Sequence, residues 1–104
     1  MQEFDHIGVP TDTQREGETY LEAAKLYVTD AAASPYAIEW LRFEPGSPMP
    51  EVLQKTTHVA YKVDDLAAAM AGKDVLIEPF EPMEGVHVGF ILHEGVPIEL
   101  MQVG

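Results

Sequence analysis

Four residues of this 104-residue chain could do chemistry together: His6, Glu39, His58 and Glu99. Glu39 lies between Ile38 and Trp40, and Glu99 between Ile98 and Leu100, so each carboxylate interrupts an apolar, strand-like run. A carboxylate in such a strand must face water, be neutralised or meet a cation, because burying it unpaired is costly. The histidines occur in similar settings: Asp5-His6-Ile7-Gly8 is echoed by Thr57-His58-Val59-Ala60, 52 residues on (58 − 6), and an aspartate follows each six residues later, Asp12 and Asp64. Ile38-Glu39-Trp40-Leu41 is echoed by Ile98-Glu99-Leu100-Met101, 60 residues on (99 − 39). Each half therefore opens with a histidine-bearing strand and closes with a glutamate-bearing one. Taken singly, each of the four is an ordinary strand residue on a solvated or satisfied face. Taken as two matched pairs, they could converge as ligands of one divalent metal, and imidazole with carboxylate suits Zn²⁺, Fe²⁺, Mn²⁺, Ni²⁺ or Co²⁺.

The elements that must position them are clearest in the second half. Val59, Tyr61 and Val63 alternate in a strand over residues 58–63. Asp64-Asp65 offers an N-cap to a helix over Leu66 to Ala71, which Gly72 stops. Strands are expected over Asp74 to Glu78 (ended by Pro79), Val86 to Leu92 and Pro97 to Val103, with turns at Pro82 to Gly85 and His93 to Gly95. The first half predicts strands over Phe4 to Val9 and Tyr36 to Phe43 and a turn over Ala31 to Pro35. Residues 11–17 carry no period, and Tyr20 to Val28 mixes helix-favouring with strand-favouring stretches. Gly46-Ser47-Pro48-Met49-Pro50 reads as a joint between two sub-units of structure, followed by a helical turn from Glu51 to Lys55.

Composition bounds the rest. Eighteen acidic residues against six basic ones leave a net charge of −12, spread as −7 over residues 1–54 (ten acids, three bases) and −5 over residues 55–104 (eight acids, three bases). That is a solvated surface, and it argues against nucleic acid and anionic membrane, which both demand a positive patch. The absence of cysteine excludes disulfides, thiolate metal sites and a cysteine nucleophile. Without a long apolar run or the basic start of a signal peptide, a soluble, cytoplasmic single domain is expected.

The His6, Glu39, His58 and Glu99 strands, with His-Val-Ala-Tyr-Lys-Val-Asp-Asp-Leu over 58–66 and Pro-Ile-Glu-Leu-Met over 97–101, resemble the vicinal oxygen chelate superfamily, the glyoxalase, bleomycin-resistance and dioxygenase group. The resemblance implies an α+β fold of two βαβββ modules, here about 1–45 and about 56–104, forming a half-open sheet cup around a divalent metal. It implies that His6, Glu39, His58 and Glu99 are the ligands, and that open coordination positions chelate adjacent oxygens of a small-molecule substrate. A lyase or isomerase of glyoxalase type would follow, with an enolate-like intermediate stabilised by the metal and a proton moved by Glu99, or second by Glu39. His6 and Glu39 are 33 residues apart and His58 and Glu99 are 41 apart, so the first module is abbreviated, with a loop for its helix, and a homodimer is expected to complete a shallow site. The alternative is a metal-free protein that sequesters an antibiotic, as bleomycin-resistance relatives do.

Strand parity puts His6 with Phe4 and Gly8, Glu39 with Leu41 and Phe43, His58 with Ala60 and Lys62, and Glu99 with Pro97 and Met101, each set on one face. The opposite faces (Ile7 and Val9; Ile38 and Trp40; Val59, Tyr61 and Val63; Ile98 and Leu100) are apolar and should pack under a helix or a partner. His87 and His93 are expected at the surface, and Lys62 is the one cation on a ligand-bearing face. Six cations in total make glutathione, acyl-CoA and phosphonate carriers poor substrates.

Overall fold

The structure, a computed structural model, describes residues 2–104. Among the described residues, eight strands and two short α-helices make a mixed α+β arrangement: β1 (Gln2–Pro10), β2 (Thr19–Leu21), β3 (Leu26–Val28), β4 (Ile38–Phe43), α1 (Glu51–Lys55), β5 (His58–Val63), α2 (Leu66–Met70), β6 (Asp74–Met83), β7 (Val86–His93) and β8 (Val96–Val103). Among the described residues no helix is long and apolar enough to cross a membrane. The chain divides into two compact units, one of His6–Thr57 and one of the residues up to Asp5 with His58–Gly104.

In the C-terminal unit the sheet order is β5-β8-β7-β6, with β5 and β8 parallel and the pairs β8-β7 and β7-β6 antiparallel. Helix α2 begins at Asp65, whose carboxylate accepts the Ala68 N–H at 3.1 Å, and the Leu66 N–H donates to Gln102 of β8 at 2.7 Å. Its two core-facing side chains, Leu66 and Met70, pack with Ile91 and Leu100, flanked by Tyr61, Val63 and Ile98. Burying each such side chain contributes about 1.5–3 kcal/mol. Because side chains alternate along a strand, seating Leu100 under α2 turns Glu99 to the other face. The β7–β8 turn has two central residues, Glu94 and Gly95, both at positive φ (51° and 85°), which matches the twist of a tight hairpin.

Strand β6 corrects the expectation of a strand ended by Pro79. It continues through Pro79 and Pro82 to Met83. It is the outer strand of the sheet, where a proline lacks no ladder partner on its solvent side, and three register shifts against β7 absorb the extra residues.

In the His6–Thr57 unit the order is β2-β3-β4-β1, with β1 and β4 parallel. The ambiguous stretch 20–28 resolves as a β2–β3 hairpin around a 3-10 turn at Glu22–Ala24, and the expected turn at 31–35 holds a second, Ala31–Ala33, capped by Asp30. Strand β4 starts at Ile38 rather than Tyr36, because Ala37 sits at φ 56° and breaks the extension. Residues 11–18 form neither helix nor strand. They cover the Trp40 side of β4 through charge instead: the Arg15 guanidinium lies 3.7 Å above the Trp40 ring, and Glu18 grips Arg42 with two bonds of 2.7 and 2.9 Å. Arg42 in turn stacks 4.1 Å over Tyr27. A loop rather than a helix thus covers this face of the unit, and the face is not purely apolar, since Arg42 shares it with Trp40.

Candidate metal centre

His6 and Glu39 come from parallel neighbours, β1 and β4, in the register Ile7↔Ile38 and Gly8↔Glu39. The imidazole Nε2 lies 3.4 Å from the Glu39 carboxylate; the histidine is buried and the glutamate side chain 23% exposed. His58 and Glu99 come from the parallel neighbours β5 and β8, in the register Val59↔Ile98 and Ala60↔Glu99. Here His58 Nε2 lies 3.0 Å from Glu99 Oε1, and the side chains are 2% and 12% exposed. The two pairs are built alike. In both, the residue two positions after the histidine stands beside the glutamate, and in both it is small, Gly8 or Ala60, leaving room for the imidazole to reach across to the carboxylate.

Burying a carboxylate is tolerated only with a compensating partner, and each glutamate has an imidazole nitrogen beside it. His6, Glu39, His58 and Glu99 each offer one ligand atom, and a group of this composition could hold a metal ion. The donor set fits that occupant chemically. Two imidazole nitrogens and two carboxylate oxygens are ligands of intermediate hardness that suit Zn²⁺ and its first-row neighbours, and two carboxylates supply the charge that balances a divalent cation.

The neighbouring residues sort differently. Phe90, which the sequence reading left out of the site, stands in β7 opposite Glu99 and meets the His58 ring edge-on at 5.3 Å between centroids. The turn carries the signal for it: a two-residue Glu94-Gly95 connection pairs His93 with Val96 and hence Phe90 with Glu99. Lys62 is half-exposed, 3.6 Å from Asp5. His87 and His93 stand at the surface beside Glu81 and Glu94, at 3.7 and 3.0 Å, and do not join the group. The Arg42 guanidinium holds the Glu18 carboxyl below the usual carboxylate range, mainly through its hydrogen bonds, and is itself held more firmly protonated. Both arginines of the chain are therefore engaged on the Trp40 side of β4.

No protein-family model and no curated protein matches this sequence. Among solved structures, the chain is similar to that of a hypothetical protein, BH1468, from Bacillus halodurans C-125, with 20% identity, a TM-score of 0.73, and coverage of 99% of this chain and 95% of the other. That likeness concerns the fold.

Proposed function

We propose that this protein is a divalent-metal-dependent lyase or isomerase of the vicinal oxygen chelate kind, acting on a small molecule with two adjacent oxygens, with His6, Glu39, His58 and Glu99 as the metal ligands. The observation that carries the reading is the repetition of one buried His–Glu pair, in one register, in both halves of the chain. Chance places a histidine beside a glutamate often; it rarely repeats the strand polarity, the register and the small neighbour as well. A bound metal would supply Lewis-acid polarisation of a substrate oxygen and stabilise charge developing there.

The protein's own groups divide the remaining work. Glu99 is the more deeply buried carboxylate and has the shorter contact to its histidine, which suits a fixed ligand. Glu39 is more exposed and more loosely held, so its carboxylate is the better placed to take a proton from a carbon acid and return it. This reverses the order of preference drawn from sequence. Phe90 keeps water from one side of the His58 ring. With both arginines engaged elsewhere, a polyanionic carrier substrate finds few counter-charges.

Metal-stripped protein titrated with Zn²⁺, Ni²⁺, Co²⁺, Mn²⁺ and Fe²⁺ should bind one equivalent, and His6→Ala and Glu99→Ala should each lose it. Unchanged metal content in both variants would sink the ligand assignment. Stoichiometric capture of a cationic drug by metal-free protein would favour sequestration over catalysis.

A further inference from the structure

The His6–Thr57 unit contains a cavity of about 410 Å³ that has no part in the chemistry above. Its apolar wall is Pro10 of β1 with Leu41 and Phe43 of β4, and its polar rim carries Asp12, Gln54 and Lys55. Parity along β4 sets Leu41 and Phe43 on the same face as Glu39, and Pro10 pairs with Leu41 across the parallel ladder, so the wall continues the ligand-bearing face toward α1. The volume falls within the range of about 300–1,000 Å³ typical of small-molecule sites.

The rim holds one charge of each sign. Lys55 contacts Glu51 at 3.6 Å, but both side chains are mostly exposed, and such a helical surface pair is weak enough to be exchanged for a ligand contact. The Gln54 amide nitrogen is committed to the Met49 and Ser47 carbonyls, at 2.9 and 3.4 Å, which leaves its own oxygen as an acceptor. A monoanion seated here would face Asp12 within a protein of charge −12; a monocation would face Lys55. A molecule carrying both charges meets neither penalty.

We propose that this cavity binds a small zwitterion with an apolar body, of the type of an apolar α-amino acid, its ammonium group at Asp12, its carboxylate at Lys55 and its side chain against Leu41 and Phe43. Binding there requires no metal and no turnover, so it stands or falls apart from the reading of the metal centre.

The experiment titrates the full chain with L-phenylalanine, its methyl ester (a cation) and N-acetylphenylalanine (an anion), following backbone amide shifts by NMR. Free phenylalanine should give saturable shifts confined to residues 11–12, 41–43 and 54–55, and each capped analogue should bind about tenfold more weakly, as expected for one lost charged contact. Lys55→Gln should abolish the preference over the ester, and Asp12→Asn the preference over the N-acetyl form. Both side chains are exposed, so both variants should fold, and His6→Ala should bind phenylalanine as the parent does. Absence of saturable shifts overturns the proposal. So does an ester or N-acetyl form that binds as tightly as the free amino acid, or a preference that survives in both variants.

Discussion

Replacing Gly89 by alanine should destabilise the C-terminal unit by collision with one side chain. Gly89 is buried in β7 beside Leu100 of β8, beneath α2. A Cβ built there would come within 2.8 Å of the Met70 methyl, nearer still to its sulfur, and to 3.5 Å of the Ile77 carbonyl oxygen. The end of a methionine is flexible, but Met70 is only 6% exposed and is packed among Leu66, Ile91 and Leu100, so it cannot swing clear without repacking the helix. Overpacking of this kind costs about 1–3 kcal/mol. The reduced freedom of alanine in the unfolded chain returns about 0.4–1 kcal/mol, since no left-handed φ is required at this position. The net expectation is a loss of up to about 2.6 kcal/mol, a fall in Tm of up to roughly 12 °C for a domain near 100 residues. Urea unfolding followed by circular dichroism measures it, as a lower midpoint with an unchanged slope. Met70→Ala alone should cost about 2–5 kcal/mol, and adding Gly89→Ala to it should cost nothing or restore stability, because the new methyl then fills the space left behind. Equal cost of Gly89→Ala in both backgrounds would refute the collision as its cause.

The charge clamp on β4 has an acid signature. Arg42 depresses the Glu18 pKa in the folded state, so the stabilisation is complete above the ordinary carboxylate range and is lost as pH falls through the lowered folded value; Glu18→Gln should flatten the acid limb of the stability profile. Tyr20 shows the opposite limb. Its hydroxyl donates to Glu44 at 2.6 Å, which pushes its pKa up to about 12, so folding is favoured below the usual tyrosine value and that advantage disappears between 10.0 and about 12. Ultraviolet titration of the phenolate should find one late-ionising tyrosine, absent in Tyr20→Phe. Ala37 holds φ 56° two residues before Glu39, a conformation that costs a side-chain-bearing residue roughly 1–2 kcal/mol, so Ala37→Gly should raise the urea midpoint; a lower midpoint would show that the Cβ is worth more than the strain.

Much of the C-terminal unit was legible because its signals are local. Alternation over 58–63 and 97–103, an aspartate cap before an alanine-rich segment and a turn at His93 to Gly95 each act over a few residues, and β5, α2, β7 and β8 lie within a residue of where those signals place them. The fate of β6 was not legible from local signals, since a proline ends a strand or rides along its edge according to which strand lies outermost. The first half was harder for the same reason. Residues 19–28 became a hairpin and 11–18 a covering loop because Trp40, Arg42 and Tyr27 offered rings and a counter-charge from strands apart in sequence.

By itself the sequence determined which four residues could serve as metal ligands, since their types and twofold recurrence are properties of the chain, and it determined that each pair would sit in strands whose other face is largely apolar. Only the tertiary structure decided that each histidine stands beside its own glutamate, with Gly8 and Ala60 at the same register position. Pairing across 33 and 41 residues is set by how parallel strands align, and alignment is an energy of the folded sheet that no local run of residues encodes.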